Sequence, residues 1–154
     1  MGNYLTDTLL PALADDTRIE AIAADADDLV LQIGGDLLRM TQDAEHGRTV
    51  FWTDVRILKP GEIGGGAATA RRYNDTRQTR TGLTMGFHLK GNALILGRSV
   101  DERDPDPERT VALALAMRDG LADARTLLDK VLEETRREED ETQRASWDGP
   151  LMSA

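Results

Sequence analysis

Between residues 28 and 58 three strand-forming runs, DLVLQI, DLLRMTQ and RTVFWTDVRIL, alternate with two turn signals. The runs are rich in Leu, Ile, Val and aromatic residues, the composition that fits a pleated and at least half-buried surface. Gly34-Gly35 between the first two is the two-residue spacing of a tight hairpin, and DAEHG (43–47) suits a longer one. This stretch therefore predicts an antiparallel meander, and the rest of the fold must supply a layer to cover it.

Period two assigns faces to these strands. Leu29, Leu31 and Ile33 share one face with Val30 opposite, while Phe51, Val55 and Ile57 alternate with Val50, Trp52 and Leu58. An antiparallel sheet covered on one side normally keeps its other side polar. Here both sides carry apolar side chains, so the second face is expected to meet something, either within the domain or on a partner.

The flanking segments read mostly as helices. Residues 3–14 place Leu5, Leu9, Leu10 and Leu13 on one stripe, with Asn3 as N-cap and Pro11 expected to kink the helix or split it in two. Residues 18–24 read as a short extended arm. KPGEIGGG (59–66) predicts a flexible break, and 67–81 a short polar helix carrying Arg71, Arg72, Arg77 and Arg80. LTMGFHLK then alternates Leu83, Met85, Phe87 and Leu89 against Thr84, Gly86, His88 and Lys90. A Gly91-Asn92 turn returns the chain as ALILGRSV, giving a second hairpin. After an acidic link, Asp106 as N-cap and Pro107 as first helical residue open a long helix to about residue 137. Its stripe is Leu113, Met117, Leu121, Ala124, Leu128, Val131 and Leu132. Gly120 stands within it as a weak spot of about 1 kcal/mol relative to Ala. The expected organisation is one α+β domain over 1–137 followed by a charged, flexible tail over 138–154.

Composition narrows the chemistry. The 154 residues carry a net charge of −9, which opposes binding to nucleic-acid backbones and to anionic lipid surfaces. There is no cysteine, so disulfides, thiolate nucleophiles and zinc–thiolate sites are excluded. No apolar run is long enough to span a bilayer, and the first residues lack the pattern of a secretory signal. Met1-Gly2 with Thr6 formally matches a myristoylation pattern that is short and common by chance.

Catalytic constellations are sparse. His46 falls in a predicted hairpin loop beside Asp43 and Glu45, and His88 on the polar side of its strand. Both read as surface or groove residues rather than as a metal ligand and a base. The acidic groups, Asp15 with Asp16, Asp25 with Asp27 and Asp28, and the tail cluster, read as lying in loops and on a solvated helix, and DADD lacks the glycine and distal glutamate of a calcium loop. GEIGGGAATA offers glycines before a helix, but no strand–GxxxxGK[ST]–helix pattern accompanies Gly64–Gly66. The arginines of 71–80 come with one aromatic, Tyr73, in an acidic chain, which argues against nucleic acid. No serine lies in a GxSxG elbow. The expectation is a binding domain and not an enzyme, with no cofactor and no metal.

The element order, helix, three-stranded meander, short helix, two-stranded hairpin and long final helix, resembles the bacterial type III secretion effector chaperones of the Tir-chaperone-like family. DDLVLQIGGDLLRMTQ leading to RTVFWTDVRIL is similar to that family's strand triplet. TGLTMGFHLKGNALILGRSV is similar to its late hairpin, and the Leu- and Ala-rich last helix follows an acidic link as it does there. The polar, arginine-rich 67–81 departs from the pattern, since family members place an apolar helix there and use it for dimerisation.

The resemblance implies a cytoplasmic homodimer. It would bind the N-terminal segment of a secreted effector in extended form and keep it soluble and export-competent, with the secretion ATPase of the export apparatus as a further partner. On this reading Leu9, Leu13, Val30, Leu37, Val50 and Trp52 contact cargo, and Tyr73, Leu83, Met85 and Phe87 form the dimer interface. The rival readings are an adaptor or immunity-type module of similar fold and, further off, a small ligand-binding domain using the Gly64–Gly66 loop.

Overall fold

In the computed structural model, which describes residues 3–25, 28–88 and 90–152, a π-helical turn Leu5–Leu9 runs into α1 (Leu10–Ala14). The widened turn is the answer to Pro11. The ring clashes with the carbonyl one α-turn back, and the Leu10 N–H reaches Leu5 O instead of the α-helical partner. Asn3 Oδ1 accepts the Leu5 N–H at 3.0 Å, so the expected side-chain cap is in place.

The strands are β1 (Ala21–Asp25), β2 (Asp28–Ile33), β3 (Asp36–Asp43), β4 (Arg48–Ile57), β5 (Thr84–His88) and β6 (Ala93–Val100). They form one antiparallel six-stranded sheet of order β1-β2-β3-β4-β6-β5. The arm at 18–24 is thus a strand, and the late hairpin joins the meander through β6 against β4. Gly34 and Gly35 have φ of +61° and +83°, the two positive values of a type I′ turn, which glycine adopts at no steric cost. The second hairpin pairs His88 with Ala93, with Asn92 at φ +50°, so its connection is longer than Gly91-Asn92 alone. Leu89, counted in the alternation, lies outside the described residues.

A 3₁₀ turn, Pro60–Glu62, leads directly into α2 (Ile63–Thr81). The flexible break predicted at 59–66 is therefore helical from Pro60, and Gly64–Gly66 form the first turn of a helix rather than a phosphate-cradling loop. Packing explains two of them: a Cβ on Gly65 would press on Leu132, and one on Gly66 would overlap Leu58 and crowd Phe87, whereas Gly64 faces open space. Bare glycines let α2 lie close to the sheet and the last helix.

That helix, α3 (Pro107–Met152), starts as expected. Asp106 Oδ1 accepts the Arg109 N–H at 2.7 Å and Pro107 is its first residue. Leu113, Met117, Leu121, Ala124, Leu128 and Val131 of its stripe are buried in one continuous core with Leu29, Leu31, Ile33, Leu38, Met40, Phe51, Leu94 and Leu96. Fully burying each such Leu or Phe contributes about 1.5–3 kcal/mol. The helix does not stop near 137 but continues to Met152, and its residues 136–145 are exposed. Glu, Arg and Gln are good helix formers, and pairs such as Arg137–Glu133 at 3.0 Å sustain a helix without an apolar stripe to reveal it.

One irregularity redirects β4. Its register with β6 shifts between Asp54 and Arg56, so Val55 and Leu58 are buried while Ile57 turns outward, 69% exposed. Simple alternation had put Ile57 inside and Leu58 outside; the bulge reverses both. Arg125 of α3 donates to Val55 O at 3.1 Å and to Asp36 Oδ1 at 2.8 Å, satisfying the carbonyl that the bulge frees.

Candidate functional site

The helices pack on one face of the sheet through the core, and among the described residues none covers the other. Register identifies what that outer face displays. Ala23, Val30, Arg39, Trp52, Gly97 and Thr84 form one row across all six strands. Beside it run Asp28, Thr41, Val50 and Ser99.

Trp52 is the anchor of this face. The Arg39 guanidinium lies 5.5 Å from its ring centroid and is itself held by Asp25 at 3.4 Å and Asp28 at 3.7 Å. A cation over an indole face is attracted by the ring's quadrupole, so the pair presents a flat surface that is apolar in the middle and charged at the rim. On the other side of Trp52 a hollow of about 450 Å³ opens, lined by Val50, Trp52, Thr84, His88, Ile95, Gly97, Arg98 and Ser99. Gly97, between Trp52 and Thr84, contributes no side chain and leaves the floor bare. Leu37, 59% exposed, and Ile57 are the large apolar side chains left most open among the described residues, and both lie on this face. Asp54, exposed and paired in register with Ile95, adds a negative charge nearby.

The sheet edge at β1 adds a second kind of site. A type I′ turn makes Ile33 and Asp36 a hydrogen-bonded pair, and bonding direction then alternates along the strand. Leu29, Leu31 and Ile33 bond toward β3; Asp28, Val30 and Gln32 bond toward β1. Their partners Asp25, Ala23 and Ala21 are thereby used, and the N–H and C=O groups of Ile22 and Ala24 face away from the sheet. The edge is uncrowded, since Ala21, Ala23 and Ala24 are small and exposed. The turn before it is fixed by Arg18, whose side chain and backbone N–H bond Asp16 and hold that carboxyl at about 2.

Against this geometry the sequence-derived candidates divide. Val30, Leu37, Val50 and Trp52 share the outer face as expected. Leu9 and Leu13 do not: at 0% and 1% exposure they fill the core beneath the sheet and have no surface for a partner. Among the proposed dimer residues, Tyr73, Leu83 and Met85 are equally buried, because the inner side of the late hairpin packs on α2 and α3. Phe87 is half-buried against the same core, close to Gly66. Tyr73, Leu83 and Met85 belong to the monomer's interior, whereas Phe87 keeps part of its surface open. Alternation marked them as apolar but carried no information on which layer would cover them. Ile57 and Ile95 are the outer-face residues that sequence reasoning missed; the bulge hid the first.

Other candidates take plain roles. His46 is exposed and bonds Asp43 at 2.9 Å. Burial alone would raise the Asp43 carboxyl, but hydrogen bonds from Arg48 and His46 outweigh it and hold the group below its ordinary value. Arg72 pairs with Glu134 and Arg77 with Asp123, so part of the arginine-rich α2 is tied to α3 of the same chain. No helix among the described residues is long and apolar enough to cross a membrane.

No family model matches the chain, and no curated protein matches it by sequence. Solved structures do. A chain of the HopA1–SchA chaperone–effector complex superposes with a TM-score of 0.60 at 13% identity, covering 80% of this chain and 95% of that one. A chain of the heterodimeric ExoU–SpcU complex from the type III secretion system of Pseudomonas aeruginosa gives 0.52 at 19% identity, over 69% and 86%. A chain of the ExsC–ExsE complex gives 0.51 at 18%, over 71% and 82%. The chain has the α+β fold seen in type III secretion chaperone complexes.

Proposed function

We propose that this chain is a type III secretion chaperone that binds the N-terminal segment of a secreted effector in extended form and keeps it soluble and export-competent. The observation that carries the reading is the outer sheet face, where Trp52, Val50, Ile95, Leu37 and Ile57 are left without a covering layer on the same sheet whose β1 edge is open. An extended peptide uses both kinds of site, since backbone groups pair with an edge strand while alternate side chains enter surface hollows. The fold shared with chains of chaperone–effector complexes supports the same reading.

On this reading the protein works by binding in the cytoplasm, without catalysis or cofactor, as a homodimer that hands its cargo to the secretion ATPase. The net charge of −9 keeps the complex soluble and favours basic cargo. Co-expression with the N-terminal segment of a secreted protein from the same genome should give a soluble complex of fixed stoichiometry. Segments that remain insoluble and unbound when co-expressed would count against it.

A further inference from the structure

The two edges of the sheet are not equivalent, and one residue accounts for the difference. Asn74, midway along α2, treats β5 as a neighbouring strand would. Its Nδ2 donates to Met85 O at 2.9 Å, and its Oδ1 accepts the Met85 N–H at 2.8 Å. Two turns further on, Thr81 Oγ1 accepts the Leu83 N–H at 3.1 Å, and Gln78 bonds Thr84 Oγ1 at 2.9 Å. The Met85 N–H and C=O and the Leu83 N–H are thus taken, which leaves Phe87 as the one outward-bonding residue of β5 without such a bond among the described residues. At β1 no hydrogen bond among the described residues occupies the outward groups of Ile22 and Ala24.

We propose that Asn74 is a specificity-determining residue for strand pairing: by occupying Met85 it leaves β5 too little free backbone to pair a strand, so the sheet accepts one added strand, at β1. A sheet with two open edges can pair head to tail and grow without limit; a sheet with one can pair only once. That the added strand is cargo rests on the function proposed above, whereas the edge asymmetry does not. The occupant is an extended, basic segment, because the exposed acids Asp15 and Glu20 precede the open edge in a chain of net charge −9. A second copy that paired through β1 would compete with that segment for the same groups.

The sealing is tested on the free chain by hydrogen exchange and sedimentation. In the wild type the Met85 amide should exchange at least about tenfold more slowly than those of Ile22 and Ala24. Asn74→Ala should bring Met85 close to their rate and produce species that grow with concentration. Adding Ala24→Pro, which removes the outward N–H of the open edge, should return the mass to that of the wild type. Asn74→Asp keeps the acceptor for the Met85 N–H but loses the donor to its carbonyl, and should give an intermediate result if the alanine variant folds poorly. A Met85 amide that stays slow in Asn74→Ala, or one that is deprotected without any change in mass, would overturn the sealing. Cross-linking of a basic, strand-forming peptide carrying a photoreactive residue then decides the occupant. Capture at Ile22 and Ala24 supports it, and equal capture at β5 of the wild type refutes one-sided addition. Failure of a co-expressed effector segment to bind would refute the cargo reading while leaving the exchange result standing.

Discussion

Gly120 of α3 sits against Leu83, the residue that leads into β5, so closely that a methyl group on Gly120 would overlap the Leu83 side chain, with Leu96 and the Tyr73 hydroxyl next nearest. In an isolated helix alanine would be the better residue by about 1 kcal/mol. Here overpacking, typically about 1–3 kcal/mol, opposes that gain. Gly120→Ala should therefore lower stability by about 1 kcal/mol in urea denaturation; a more stable variant would show that the contact relaxes freely.

Tyr73 is fully buried, and among the described residues its hydroxyl has no partner at hydrogen-bond geometry. Removing a buried, unsatisfied polar atom without changing shape is neutral or favourable. Tyr73→Phe should match or exceed the wild type by up to about 1 kcal/mol, whereas Tyr73→Ala should cost about 3–5 kcal/mol through the cavity it leaves. Chemical denaturation of the two variants separates hydroxyl from ring.

Trp52 and Leu9 were candidates for the same role and should behave oppositely. Trp52→Asp on the open face should leave the circular dichroism spectrum and melting temperature near wild type while cutting affinity for an effector segment by about tenfold or more. Leu9→Asp places an unpaired charge in the core and should abolish folding. Loss of fold in Trp52→Asp would mean that the outer face is structural.

How much of this was legible beforehand follows from the kind of signal each element sends. The meander, the Gly34-Gly35 turn and the caps at Asn3 and Asp106 are local, and local chemistry shows them. Ile57 was misplaced because a bulge depends on the partner strand and on Arg125, which lies 70 positions away. Leu9, Tyr73, Leu83 and Met85 were recognised as apolar, but whether an apolar stripe faces a helix of the same chain or a partner is a tertiary fact. The glycines at 64–66 read as a break because propensity is silent about close packing; Leu132 and Leu58 explain Gly65 and Gly66 only once α2 and α3 are assembled.

Ala24→Pro tests the open edge of β1 under cargo. The Ala24 N–H points away from β2, so proline removes no bond of the sheet, a position edge strands tolerate. The fold should persist, and affinity for an extended segment should fall by about tenfold or more in calorimetry. Unchanged affinity would place the backbone contacts elsewhere.

Asp16 offers a pH marker for the turn into β1. Hydrogen bonds from Arg18 lower its carboxyl from 3.8 to about 2 in the folded chain. A group depressed on folding contributes stability above its unfolded value, and that contribution is lost as pH falls through the folded one. The contribution should thus be intact above pH 3.8 and disappear toward pH 2. NMR titration should place the Asp16 midpoint near 2, and Arg18→Ala should return it toward 3.8.

The last helix has a consequence for how the molecule moves and separates. At about 1.5 Å per residue, the stretch after Leu132 extends roughly 30 Å. Residues 133–145 hold six acidic and three basic side chains, a third of the net charge of −9. Such an appendage acts as a charged oar: it raises friction out of proportion to mass, and it meets an anion-exchange surface before the body of the protein does. Cutting the chain at 132 should shorten the rotational correlation time and the salt gradient needed for elution more than the lost mass alone would explain.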